Sequence, residues 1–141
     1  MSALEDHAVR LDFASRYELL EMVQTVLGQL ATLAGFDEDT RHYMSVAVRE
    51  SVVNAIKHGN RQDADKRVEV EFRVNGQSLG ISVRDHGAGF RPDHVPDPLA
   101  PENLLKTDGR GIFFMRQFMD EVRYEFPPGG GTLVHMLKKR A

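Results

Sequence analysis

Between Arg67 and Asp85 the chain alternates apolar and polar residues in two runs: Val68, Val70, Phe72 and Val74, then Leu79, Ile81 and Val83. Period-two alternation belongs to a strand with one buried face. Asn75-Gly76 stands between the runs, and this dipeptide favours a tight turn in which both central positions take positive φ. The two runs therefore read as a β-hairpin. A shorter alternation from Ala8 to Phe13, with Val9, Leu11 and Phe13 on one side, reads as a first strand. Val122 to Phe126 and Thr132 to Leu137, joined by Pro127-Pro-Gly-Gly-Gly131, read as a last antiparallel pair.

Helical spacing appears elsewhere. Ser15-Arg-Tyr-Glu18 has the form of a capping box, in which hydroxyl and carboxylate satisfy free N–H groups at a helix start. Leu19, Leu20, Val23, Val26, Leu27 and Leu30 then keep helical spacing until Gly35 breaks it. Asp37 or Asp39 caps a second helix, which runs through VAVRESVVNAIKHGN, Val46 to Asn60. Here Val48, Val52, Ala55 and Ile56 form the apolar face, and Gly59 is expected to end the helix as a left-handed cap, with Asn60 extending the turn. Ile112, Met115, Met119 and Val122 suggest a third helix or its continuation into a strand.

On the face opposite the apolar stripe of the second helix, Glu50, Asn54 and His58 follow one another at intervals of four. A carboxylate, an amide and an imidazole in a row can supply a base, an oxygen ligand for a hard cation and a hydrogen-bonding partner. Any surface helix also presents a polar face to water, so the row alone does not separate a site from a solvated face. The hairpin's second arm runs into Asp85-His-Gly87-Ala-Gly89, where glycines mark a tight turn or the close approach of another group. Residues 91–108 hold four of the six prolines and show no apolar periodicity, so they read as a long loop, with the properties of a lid. Gly109-Arg110-Gly111 closes that loop just before Ile112. Glycines at a helix start offer unpaired N–H groups and a positive dipole end to an anion such as phosphate.

Composition narrows the classes available. The 141 residues suit one domain, 1–141, and the absence of cysteine excludes disulfide frameworks, thiol catalysis and Cys-based zinc sites. A net charge of −3 gives no general attraction to nucleic acid or to anionic lipid. No apolar run approaches a membrane span, and the polar, acidic first residues do not read as a leader, so a cytoplasmic protein is expected.

The order of these motifs resembles the GHKL ATP-binding superfamily, which includes gyrase B, histidine kinases and MutL. Within it, ESVVNAIKHGN, VRDHGAGF and GRGIFFMRQFMDEV are most similar to the anti-sigma factor serine kinases of the RsbW and SpoIIAB type. The resemblance implies ATP and Mg²⁺ as cofactors. Asn54 matches the asparagine that holds Mg²⁺, and Glu50 the base toward the attacking hydroxyl or water. Asp85 matches the acceptor of the adenine amino group, with Gly87 and Gly89 allowing close packing. Gly109 and Gly111 match the second glycine box, whose amides meet the phosphates; Arg110 and Ile112 belong to the same nucleotide-binding stretch. Thr132 matches a threonine on the last strand near the adenine. Lys106 is a candidate phosphate contact or else an exposed loop lysine, and His58 is a supporting residue.

The fold expected is an α/β two-layer sandwich, a mixed, mostly antiparallel sheet with three helices on one face. The implied partners are a sigma factor and an anti-anti-sigma protein of the STAS type, with homodimerisation, and without nucleic acid or membrane. Two rival functions are a detached histidine kinase catalytic domain, which would lack its phosphoacceptor hairpin, and a binding module that ATP only reshapes.

Overall fold

The computed structural model describes residues 6–61, 63–87 and 116–140. Five strands form one sheet: β1 (His7–Ala14), β2 (Arg67–Val74), β3 (Ser78–Asp85), β4 (Glu121–Glu125) and β5 (Leu133–Lys139). Their spatial order is β1-β2-β3-β5-β4, and every described pairing is antiparallel. The alternation sets the faces. Phe13, Val68, Val70, Phe72, Val74, Leu79, Ile81, Val83, Val134 and Met136 are all buried on one side. Helices α1 (Leu20–Leu33) and α2 (Glu38–Asn54) cover that side, α1 against β2 and α2 against β3. Residues 116–118 are helical; Phe118 there stacks on Tyr43 of α2 with ring centroids 4.8 Å apart, and Met119 beyond it is buried.

Helix ends follow local chemistry in two of four cases. Asp37 caps α2, its carboxylate accepting the Thr40 N–H at 2.8 Å. Hydrogen bonding by Thr40, its side chain first and then this backbone N–H, lowers the Asp37 carboxyl from its ordinary value. At the end of α1, Gly35 takes φ +88°, Gly35 N–H donates to Thr32 and Phe36 N–H donates to Ala31, the paired bonds of a Schellman motif.

The expected capping box at Ser15 and Glu18 is not formed. Ser15 is still tied to the sheet through its N–H to the Lys66 carbonyl, and its hydroxyl is buried without a partner among the described residues. It therefore cannot reach the helix start, and α1 is entered through a 3₁₀ turn, Tyr17–Leu19, with no side-chain cap. The hairpin turn also differs from expectation. Among the described residues positive φ occurs at Asp6, Arg61, Gly35, Gly130 and Gly131, so Asn75 and Gly76 do not make the expected positive-φ pair. Asn75 acts through its side chain instead, its Oδ1 accepting the N–H groups of Gln77 (2.7 Å) and Ser78 (2.8 Å).

The end of α2 is the third difference. The helix is regular to Asn54, then widens into a π turn, Ala55–Gly59, closed by Asn60 N–H donating to the Ala55 carbonyl at 2.8 Å. Gly59 is not in the left-handed region, so no αL cap forms. What the missing side chain permits there is described below.

Candidate functional site

β3 carries its buried stripe one residue past the hydrophobics: after Leu79, Ile81 and Val83 the next inward position is Asp85, 4% exposed. A carboxylate at a core-facing position needs donors. Its backbone N–H donates to the Thr132 carbonyl at 3.0 Å, which extends the β3–β5 pairing beyond Arg84 and Leu133. In return Thr132 N–H donates to Asp85 Oδ1 at 3.1 Å, and Gly87 N–H reaches the same oxygen at 3.0 Å. Burial pushes the Asp85 carboxyl above the ordinary value; the Gly87 and Thr132 amides, then the charges of His86 and Lys66, oppose that push.

Three glycines close around this acid. A Cβ on Gly59 would overlap the Asp85 carboxylate at Oδ2, and one on Gly87 would overlap the Gly59 carbonyl. A Cβ on Gly131, where φ is +83°, would overlap the Asp85 carbonyl. Backbone from three separate segments thus forms a cradle with the carboxylate on its floor. Gly129, by contrast, has nothing among the described residues within 4 Å of an added Cβ. The requirement for glycine at 59 and 131 comes from contacts across the fold, and the sequence offered only turn readings there.

Asn60 ties the same region together and was read from sequence as a turn residue only. It is fully buried; its amide nitrogen donates to the Arg67 carbonyl at 3.0 Å, and its Oδ1 accepts the His86 N–H at 2.8 Å. The signal available in the sequence was weak, since a polar residue after a helix is usually exposed.

Of the residues expected at the site, the structure brings Asp85, Gly87 and Thr132 into direct contact. Glu50 and Asn54 lie one turn apart on α2, each half-buried, in the regular part of the helix. His58 is exposed and belongs to the π turn, where the wider spacing breaks the four-residue interval of the row. Gly89, Lys106, Gly109, Arg110, Gly111 and Ile112, with the loop 91–108, lie outside the described residues. Among the described residues, no three His, Cys, Asp or Glu side chains are grouped to hold a metal ion. No described helix is long and apolar enough to cross a membrane.

A helix pair on an antiparallel sheet, with a buried aspartate at the end of a central strand inside a glycine cradle, suits a flat ligand bearing a hydrogen-bond donor. The chain belongs to the histidine kinase-like ATPase domain family, whose match spans residues 13–138. It is 23% identical over 135 residues to the serine-protein kinase RsbW of Listeria innocua, covering 92% of this chain and 85% of that protein. It is 28% identical over 127 residues to RsbW of Bacillus licheniformis (86% and 79% covered), and 26% over 140 residues to the anti-sigma F factor of Clostridium beijerinckii (96% of each). A solved structure of the RsbU and RsbW domains of a Mycobacterium tuberculosis protein superposes with a TM-score of 0.64 at 18% identity, covering 96% of this chain. This chain spans 33% of that longer one, and the likeness establishes the shared fold.

Proposed function

We propose that this chain is an ATP-dependent protein serine kinase that also holds a sigma factor inactive, acting as one domain in the cytoplasm. The carrying observation is the Asp85 cradle: a desolvated acceptor, fixed by two backbone donors and walled by glycines, is suited to the amino group of adenine. The names of the relatives, serine-protein kinase and anti-sigma factor, supply the reaction class and the partner class.

In this reading Asp85 accepts from the adenine amino group and Thr132 fixes its orientation through the main chain. Asn54 offers an amide oxygen to Mg²⁺. Mg²⁺ keeps several waters and takes most other ligands from phosphates, so a single protein oxygen is compatible with the lack of a three-ligand group among the described residues. Bound Mg²⁺ would neutralise charge on the triphosphate. Glu50, one turn before Asn54, takes the proton from the hydroxyl of a serine on a small STAS-type partner. The new oxygen–phosphorus bond forms as the bond to the β-phosphate oxygen breaks, and ADP leaves. The Gly109–Ile112 stretch and Lys106 complete the phosphate contacts, and His58 supports the end of the helix. The protein acts as a homodimer.

Transfer from γ-labelled ATP to a STAS-type protein tests this. Phosphoserine on the partner is expected, and Glu50→Gln should keep ATP affinity while lowering the rate on the order of 10²–10⁴-fold. Wild-type transfer by Glu50→Gln would remove Glu50 as the base. ATP-dependent partner binding without any transfer would favour a nucleotide-gated binding module instead.

A further inference from the structure

We infer that Asn60 is a positioning residue for base recognition: by holding the π turn and the Asp85–Gly87 turn together, it sets the direction in which Asp85 presents its carboxylate. The inference deepens the nucleotide-site reading above and rests on it.

Among the described residues, four polar or charged ones are buried, namely Ser15, Ser51, Asn60 and Asp85. The hydroxyls of Ser15 and Ser51 have no partner among the described residues, whereas the Asn60 amide is used at both ends. Its main chain works as well: the N–H closes the π turn on Ala55, and the carbonyl accepts the Asp63 N–H at 3.0 Å. The side chain then bridges two strands, donating to Arg67 at the start of β2 and accepting from His86 just past the end of β3.

The consequences for Asp85 run through two walls. On one side the π turn places Gly59 against Oδ2, leaving no room for a side chain. On the other, Gly87 N–H can meet Oδ1 only if the turn at His86 keeps its present course, and the His86 N–H is the group Asn60 holds. Asn60 thus governs both walls of the carboxylate from a position with no exposure to solvent. A buried amide with donor and acceptor both satisfied fixes geometry because any rotation leaves two groups unpaired. An Asp85 carboxylate turned from its present direction would keep its charge and lose its alignment with the amino group of a purine.

The test compares ATP with purine riboside triphosphate, which is ATP lacking the 6-amino group, by calorimetry on the full chain. Both probes carry the same triphosphate, so changes in charge or overall fold cancel in the ratio of their affinities. Asn60→Ala is expected to lower the preference for ATP roughly tenfold, the worth of about one hydrogen bond, while purine riboside triphosphate binds as before. Asn60→Ser takes its place should the alanine variant not fold. A folded Asn60→Ala or Asn60→Ser protein with the wild-type ratio would overturn the proposal and leave the nucleotide site intact. A wild-type protein with no preference between the two probes would instead remove the adenine reading itself, and this inference with it.

Discussion

The two faces of β2 and β3 hold carboxylates in opposite ways. On the covered face Asp85 is buried, meets backbone donors, and has its pKa raised by burial. On the open face Glu71 accepts from Arg73 (2.5 Å) and Arg10 (2.6 Å) and has its pKa lowered by those bonds, Arg73 first. Arg67 with Asp12 and His86 with Glu69 continue this charged ladder across the strands. Long side chains in water can readjust when a partner is lost, while main chain packed around a buried acid cannot. Substitutions should therefore cost most where the contact is backbone on the covered face, and least where it is an exposed ion pair.

Gly131→Ala should show the largest effect. Its φ of +83° disfavours any side chain, and its new Cβ would meet the Asp85 carbonyl, which has no rotamer to escape into. A loss of roughly 2–4 kcal/mol in denaturant unfolding is expected from strain plus overpacking. Gly129→Ala, with open space around it, should change stability by less than about 0.5 kcal/mol. Similar values for the two variants would mean that the cradle tolerates side chains and that the comparison fails at its strongest point.

Asp85→Asn comes next, and its effect should appear in binding rather than folding. The amide oxygen can still accept from Gly87 and Thr132, and no charge need be buried, so the free protein should be as stable as wild type or more so. ATP affinity should fall roughly ten- to hundredfold, because one side of the amide presents a donor to the adenine amino group. Unchanged affinity by calorimetry would detach the buried acid from base recognition.

The two carboxylates also make opposite demands on pH. Because the folded-state pKa of Asp85 is raised, its contribution to the stability of the free protein is fully present below the ordinary aspartate value and is lost as pH rises through the raised value. ATP binding needs the carboxylate, so affinity should weaken as pH falls through that same range. Glu71 works the other way: its pKa is lowered, its stabilisation is present above the ordinary glutamate value, and it is lost as pH falls through the lowered one. Unfolding measured with and without Mg·ATP from about pH 2 to about pH 8, a range that includes the window below both ordinary carboxyl values, separates the two; parallel pH dependence in both conditions would contradict the Asp85 assignment. The smallest effect is expected from Glu71→Gln, under about 1 kcal/mol and shrinking further in high salt, since its ion pairs are exposed.

Much of the frame was legible from patterns that depend on near neighbours. Alternation at Val68–Val74 and Leu79–Val83 placed β2 and β3, and helical spacing at Val48, Val52, Ala55 and Ile56 selected the residues that are buried. Asp85 itself was legible twice, as the acid before a glycine pair and as the next inward position of the β3 stripe. The local signals that failed, the Ser15 box and the Asn75-Gly76 turn, were overridden where sheet pairing and an Asn side chain claimed the same groups. The sequence by itself determined where strands and helices lie and which faces they bury, because periodicity is set by residues only a few positions apart. Only the tertiary structure decided that Gly59 and Gly131 wall one carboxylate and that Asn60 bridges two strand ends. Their roles arise from main chain brought close by the packing of α2 and β5 against the end of β3, and a contact of that kind leaves no period in the sequence.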